Sequence, residues 1–341
     1  MKETLAGLAA KTGYSITTIS RVLSGKAEEH RISKEARNKI IQAARENRYF
    51  PSLAVQNRRT NKTSTIGLMV PSIANPYFAD IASSVIGEAN HRNYTTIVID
   101  SSENEEMEKK GIASLMDRQV DGIIAVPCGT SQALFEEMNR EYLPVILIDR
   151  YFPDAMMPYV ATNNYQGGIE ATNHLIMHGH RRIACIQGVV SSAPNKKRVA
   201  GYLAAMEKAG IKDEAIVTGN EFSIQNGYLE TKLLLNRQNR PTAIFTLSNT
   251  IMLGAVRAIR ESGLKIPEDI SIMTFDNNMY MDYMTPAISR ISQHTEEMGR
   301  LATKLMFECI SSGLRSTTQI ELTPSLIAGA SVGFPKSSVR Q

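Results

Sequence analysis

The chain of 341 residues is long enough for two or three domains with an ample core. With 43% hydrophobic and 21% charged residues it has an ordinary folded composition, and no apolar run approaches the roughly 18 residues that span a bilayer. The opening MKETLAGLAAKTG has no unbroken apolar signal-peptide core, so a cytoplasmic protein without a membrane partner is expected. Cys128, Cys185 and Cys309 lie far apart in apolar stretches, which implies buried thiols rather than a disulfide framework or zinc site. The net charge of +4 is uneven: residues 1–65 hold 13 Lys and Arg against 5 Asp and Glu, and the remainder holds 25 against 29. A basic module on a mildly acidic body is the electrostatic footprint of nucleic-acid binding.

Residues 4–23 read as two short helices around a tight turn. Thr4 is a candidate N-cap, Leu5, Leu8 and Ala9 form an apolar stripe, and Gly13 allows the positive φ of a turn. In the second helix Ile19, Val22 and Leu23 repeat the stripe, leaving Ser15, Thr17, Thr18, Ser20 and Arg21 on or beside the open face. That pattern predicts a helix-turn-helix presenting hydroxyls to phosphates and a guanidinium to a base edge. A third helix, capped at Ser33 and running through Ile40, Ile41 and Ala44, closes a small core with Ile32.

The stretch TLAGLAAKTGYSITTISRVLSGK resembles the N-terminal domain of the lactose-repressor (LacI/GalR) family of bacterial transcription regulators. STIGLMVPSIANPYF, VDGIIAVP, LPVILIDR, HLIMHGHRRIACIQG, PTAIF, LKIPEDISIMTFDN and TPAISRISQ continue the likeness along almost the whole chain. The resemblance implies a small all-α helix-turn-helix headpiece (1–50), a hinge helix or linker (51–62) and an α/β body (63–334), followed by a tail (335–341). It places Ile16, Thr17 and Arg21 at base-reading positions, and Thr4, Ser15, Thr18 and Ser20 at phosphate-contacting ones. Ser24 and the hinge residues Ser52, Val55, Arg58 and Arg59 complete the expected DNA surface. A duller reading makes Ile16 part of the headpiece core through Ile19. Two features depart from the family: Arg58 stands where a leucine usually wedges into the minor groove, and the loop KAEEHR is longer.

From Thr65 onward apolar runs alternate with helical stretches: 66–70, 96–99, 122–126, 145–149, 183–187, 243–247 and 270–275, with helices such as Gln166–Met177 and Arg198–Ala209 between them. Such alternation predicts parallel sheets with helical crossovers. There are too many strands for one small sheet. Two doubly wound lobes are expected, in the periplasmic-binding-protein-like manner of the family: an N-lobe of about 63–162 and 292–321, and a C-lobe of about 163–291 and 322–334. Ligands in such folds bind beyond the carboxyl ends of strands, which directs attention to Ser72, Asp100, Asp149, Arg150, Gln187, Ser248, Asn249, Asp276 and Asn277. Carboxylates, a guanidinium and aromatic faces suit a polyhydroxylated ligand. By resemblance Tyr77, Phe78, Asp149, Arg198, Phe222, Ser248 and Asp276 contact the effector, and Arg150 joins them from the strand-end set. Duller readings have Tyr77 and Phe78 capping the sheet, Asp149 and Asp276 capping loops, and Arg198 pairing with Glu207 or Glu170. Asn163-Asn164 stands where the family pattern has an Asp-Asn pair, and Ser248-Asn249 where it has an Asn-Asp pair. With two expected negative charges gone, a different sugar or a more anionic effector is anticipated.

An enzyme is the rival class, yet the chain has no G-x-G-x-x-G after a strand and no P-loop. His174 and His178 share i, i+4 spacing, but no HExxH motif accompanies them and no metal site or cofactor is expected. A sugar-binding protein without DNA function would lack the basic headpiece. The expected protein is a regulator, more specifically a repressor of carbohydrate-utilisation genes, that binds double-stranded operator DNA as a homodimer and responds to a sugar or sugar derivative. The alternative is a family regulator responding to a nucleobase, a nucleoside or a protein co-regulator. Two-fold symmetry is expected because one short helix reads too few base pairs for genomic specificity.

Overall fold

A computed structural model describes residues 4–47, 49, 62–130 and 132–336 of the chain. These fall into two units that divide between Ser64 and Thr65. The hinge expectations at Ser52, Val55, Arg58 and Arg59 lie outside the described residues.

Among the described residues the first unit has three helices: α1 (Leu5–Thr12), α2 (Ile16–Leu23) and α3 (Lys34–Glu46). Each begins at a hydroxyl cap, with Thr4 accepting from the Gly7 N–H, Ser15 from Thr18 and Ser33 from Ala36. Such caps satisfy one of the backbone donors that a helix start leaves unpaired, about 1 kcal/mol each. Gly13 ends α1 at φ 76°, the left-handed conformation expected of it. Leu8, Ile19, Val22, Ala27, Ile40 and Ala44 are buried together, with Leu5, Ala9, Leu23, Ile32 and Ile41 packed around them. Ala27 inside KAEEHR is part of this core, and the Ile32 N–H donates to its carbonyl, so the longer loop is tied to the helices.

The second unit runs β1 (Thr65–Val70), α4 (Pro76–Asn90), β2 (Thr95–Asp100), α5 (Glu105–Asp117), β3 (Ile123–Ala125), α6 (Gln132–Glu137), β4 (Val145–Ile148) and β5 (Tyr159–Thr162) through the N-lobe. It continues through the C-lobe with α7 (Asn164–Met177), β6 (Ile183–Ile186), α8 (Ala193–Lys208), β7 (Ile216–Thr218), α9 (Ile224–Leu235), β8 (Ala243–Thr246), α10 (Asn249–Glu261), β9 (Ser271–Phe275) and β10 (Ser289–Ser292). The chain then returns through α11 (Thr295–Ser312) to β11 (Gln319–Leu322) and crosses again into β12 (Ser325–Ile327). One six-stranded sheet has the order β11-β5-β4-β3-β1-β2 and the other β12-β10-β9-β8-β6-β7. All pairings are parallel except β10 with β12. The central strands read as unbroken apolar runs because helices cover both faces of each sheet. In the N-lobe one face packs Ile66, Leu68 and Ile146 against Phe78, Ile81 and Met306, and the other packs Met69, Ile123 and Leu147 with Leu115 and Phe135.

Three connections cross between the lobes: after β5, between β10 and α11, and between β11 and β12. Two expectations need correction. The helix anticipated from Arg198 begins at Ala193, where Pro194 tolerates the first turn without a backbone donor. Strands β5, β7, β10, β11 and β12 carry no apolar run of the expected kind; β10 reads SRIS, with Arg290 buried because Asp282, Asn277 and the Ile288 carbonyl accept from its guanidinium. Cys185 and Cys309 are buried and Cys128 is half-buried.

Candidate functional site

On α2 the buried side chains are Ile19 and Val22, so the opposite face is open. Ile16 is 50% exposed, which removes it from the headpiece core and leaves a hydrophobic side chain at the first helical position. Thr17 and Arg21 are exposed beside it, while Thr18, Ser20 and Ser24 are half-buried. Three hydroxyls already serve the helix. Ser15 Oγ caps the Thr18 N–H at 3.1 Å and lies 2.9 Å from Thr18 Oγ1, and Ser24 Oγ donates to the Arg21 carbonyl at 3.2 Å. Ile16, Thr17, Ser20 and Arg21 therefore form the outward strip of α2. Its amino-terminal half is the part that a helix-turn-helix directs at base edges.

In the second unit the cleft between lobes holds a cavity of about 380 Å³, and all eight effector residues expected from the sequence line it: Tyr77, Phe78, Asp149, Arg150, Arg198, Phe222, Ser248 and Asp276. Asn75 caps α4 through the Tyr77 N–H, with Pro76 at the first position, and so brings Tyr77 and Phe78 to the cleft. Their rings meet edge to face, with centroids 5.1 Å apart. Asp149 and Asp276 follow β4 and β9, and both have positive φ, 64° and 77°. Aspartate tolerates this region better than most residues, but it still stores strain of about 1–3 kcal/mol, a mark of functional positions.

Burial pushes both carboxyls up from their ordinary values, and Arg198 opposes the shift at each. Arg198 is buried on α8: its Nε donates to Asn164 Oδ1 at 2.7 Å, its Nη1 to the Leu247 carbonyl at 2.7 Å, and the same Nη1 lies 4.0 Å from Asp276 Oδ1. Its guanidinium stacks 3.9 Å from the Phe275 ring centroid. Gly168 on α7 makes this possible, since a Cβ there would sit 2.4 Å from the Arg198 carbonyl oxygen. The alternative partners are engaged elsewhere, Glu207 with Lys212 and Glu170 with Gln166.

Arg150 is bound bidentately by Glu103, with both N···O distances 2.7 Å. Its guanidinium lies 5.7 Å from the Phe78 ring in the N-lobe and 5.9 Å from the Phe222 ring in the C-lobe. The sequence did not single out Glu103, Asn75 or Gln293. Gln293 donates to Asp276 at 2.6 Å and lies 3.1 Å from the Tyr77 hydroxyl, while Asn249 Nδ2 donates to Asn75 Oδ1 at 3.0 Å across the cleft. Gln293 was findable by the strand-end rule, but β10 itself was not recognised.

Of the other strand-end residues Ser72 lines the cavity and Asn249 bridges the cleft, while Asp100, Gln187 and Asn277 do not join the site. Asp100 accepts from the Ile73 and Ser102 N–H groups, Gln187 bonds Asn195 and Asn226, and Asn277 accepts from Arg290. Asn163 caps α7 and Ser248 caps α10. His180 has both ring nitrogens bonded, to Thr242 and Ser271, and His174 stacks beside His178. Among the described residues no group of three or more metal-binding side chains is gathered, and no helix is long and apolar enough to cross a membrane.

Residues 4–52 match the family model described as bacterial regulatory proteins, lacI family, and residues 63–330 match that of periplasmic binding proteins and sugar binding domain of LacI family. The chain is 32% identical to the HTH-type transcriptional regulator DegA of Bacillus subtilis over 331 residues, 96% of this chain and 97% of that protein. It is 30% identical to the ribose operon repressor of Escherichia coli over 327 residues, covering 95% and 98%. A LacI family regulator from Enterococcus faecium, solved with bound ribose, superposes with a TM-score of 0.73 at 28% identity, over 80% of this chain and all of that one. The chain belongs to the LacI family of bacterial transcriptional regulators, whose members bind operator DNA and are not enzymes.

Proposed function

We propose that this regulator is a homodimeric repressor controlled by a small neutral polyol, a sugar of pentose or hexose size, held between the lobes of its body. The observation that carries the reading is the charge pairing in the cavity. Arg150 is paired with Glu103 and Arg198 faces Asp276, so neither guanidinium of the cavity is left uncommitted. An anionic ligand would meet two guanidiniums already committed to carboxylates, whereas neutral hydroxyls find polar oxygens and aromatic faces. This revises the more anionic effector anticipated from the lost family charges. It also disfavours a nucleobase, because the Arg150 guanidinium already lies over the rings of both Phe78 and Phe222.

The volume of about 380 Å³ is near the lower end of small-molecule sites, about 300–1,000 Å³. The Enterococcus relative with bound ribose supports a ligand of this kind. Outward residues of α2 read the operator, and the cavity biases the lobe arrangement that presents two headpieces to two half-sites.

The test is thermal stability against neutral sugars, sugar phosphates, uronic acids and nucleosides. A ligand at 100 times its Kd adds about 2.7 kcal/mol to stability. A shift with a neutral sugar alone supports the reading; a shift with a phosphate, acid or nucleoside alone contradicts it.

A further inference from the structure

Asp149, Tyr77, Gln293 and Asp276 form an unbroken polar chain across the cleft. Tyr77 Oη lies 2.7 Å from Asp149 Oδ1 and 3.1 Å from Gln293 Oε1, and Gln293 Nε2 lies 2.6 Å from Asp276 Oδ1. The first two residues belong to the N-lobe, Asp276 follows a C-lobe strand, and Gln293 sits in the connection between β10 and α11. All four are buried.

The protons of this chain do not suffice if both carboxylates are ionised. A phenol donates once, while an amide oxygen and a carboxylate donate nothing. The Tyr77 hydroxyl touches two acceptor oxygens and has a proton for one of them. Turning the Gln293 amide moves the problem without removing it: Nε2 would donate to Tyr77, but two oxygens would then face each other 2.6 Å apart at Asp276. One extra proton completes the chain in either arrangement. Asp276 already receives the Asn249 N–H at 3.0 Å and faces Arg198, contacts that favour its ionised form.

We infer that Asp149 carries this proton, donating to Tyr77, which donates to Gln293, which donates to Asp276, and that the proton latches the two lobes together. The inference concerns the chain's own residues and stands whichever effector the cavity takes. The charged and titratable groups facing Asp149 are Arg150, Arg198, Tyr77 and Asp276; Glu103 binds Arg150, and Tyr280 faces Asp276. Burial is the largest effect on Asp149 and opposes its ionisation, as does Asp276, while the two guanidiniums and the Tyr77 hydroxyl favour it. Raising the pH removes the proton and sets two acceptors against each other at the lobe boundary. A carboxyl whose folded-state pKa is raised contributes stability that is complete below its unfolded value, about 4. That contribution is lost as pH climbs through the raised folded value.

Infrared spectroscopy of the full chain in D2O, scanned over pH, tests this. The inference predicts a protonated-carboxyl stretch that persists above the ordinary carboxylate range, survives in Glu108→Gln and vanishes in Asp149→Asn. Glu108 is the control because it is another buried carboxyl with a raised pKa. An asparagine at 149 offers Tyr77 an N–H in place of the proton, so that variant should melt with the wild type yet lose the pH dependence. Absence of the band above the ordinary range, or its survival in Asp149→Asn, would each overturn the inference.

Discussion

Asp149 and Asp276 hold matching places in the two lobes: each follows a central parallel strand, each is buried, and each has left-handed backbone, φ 64° and 77°. They meet through intermediaries, Tyr77 beside Asp149 and Gln293 donating to Asp276. Whatever lies against one aspartate is therefore coupled to the other lobe, which is the physical requirement for a ligand that changes lobe orientation.

Removing Arg198 leaves Asp276 without its facing cation. Arg198→Ala should lower the stability of the second unit by about 3–5 kcal/mol, as loss of one partner of a buried pair does. It should also abolish the stabilisation by the effector. The headpiece is a separate unit, so the melting of α1 to α3 should be unchanged. Calorimetry of the full chain, with and without sugar, checks both parts.

Releasing Arg150 should alter ligand preference. Glu103→Gln removes the carboxylate that holds both Arg150 nitrogens at 2.7 Å, leaving a free guanidinium at the cavity wall. Affinity for a phosphorylated sugar should rise tenfold or more while that for its neutral parent changes little, as read by titration calorimetry. An unchanged ratio would mean that the Glu103 pairing does not govern charge selection.

In the headpiece, Arg21 is exposed on α2 and contributes nothing to the buried core. Arg21→Ala should weaken operator binding by about 1–3 kcal/mol and relax preference at one base pair of each half-site. Thr17→Ala, a smaller loss, should affect specificity less than Arg21→Ala. Binding to randomised operator libraries measures affinity and preference together.

His180 should cost the second unit stability in mild acid, opposite in sign to the contribution of Asp149. Burial lowers the His180 pKa to about 4 from an ordinary 6.5, and both ring nitrogens are bonded to hydroxyls. Between those values the unfolded chain binds a proton that the folded chain does not, so stability rises with pH over that window and falls as pH drops through it. The full effect is at most about 3 kcal/mol. Denaturant melts of the wild type and of His180→Gln between pH 4 and 7 should differ by this slope.

Much of this architecture was legible because its signals are local. Hydroxyl caps at Thr4, Ser15 and Ser33, the glycine at 13, and unbroken runs such as IGLMV and VILI each follow from a few consecutive residues. The strands that escaped notice, SRIS, QIEL and SLI among them, are short or polar and take their place from partners distant in sequence. Arg290 illustrates the reason, since only its three acceptors make a buried guanidinium tolerable in a strand. The cavity residues came from family resemblance and, for Asp149, Arg150, Ser248 and Asp276, also from the rule that ligands bind beyond strand ends. Glu103, Asn75 and Gln293 were missed because their meaning lies in whom they touch across the cleft.

The central claim, a neutral sugar in this cavity controlling operator affinity, is tested most directly by measuring binding of the full chain to its selected operator with and without the stabilising sugar, beside Asp276→Asn. The account predicts at least a tenfold change in operator Kd for the wild type and none for the variant, both binding DNA comparably without sugar. An unchanged wild-type Kd, or an equal response in the variant, would contradict it.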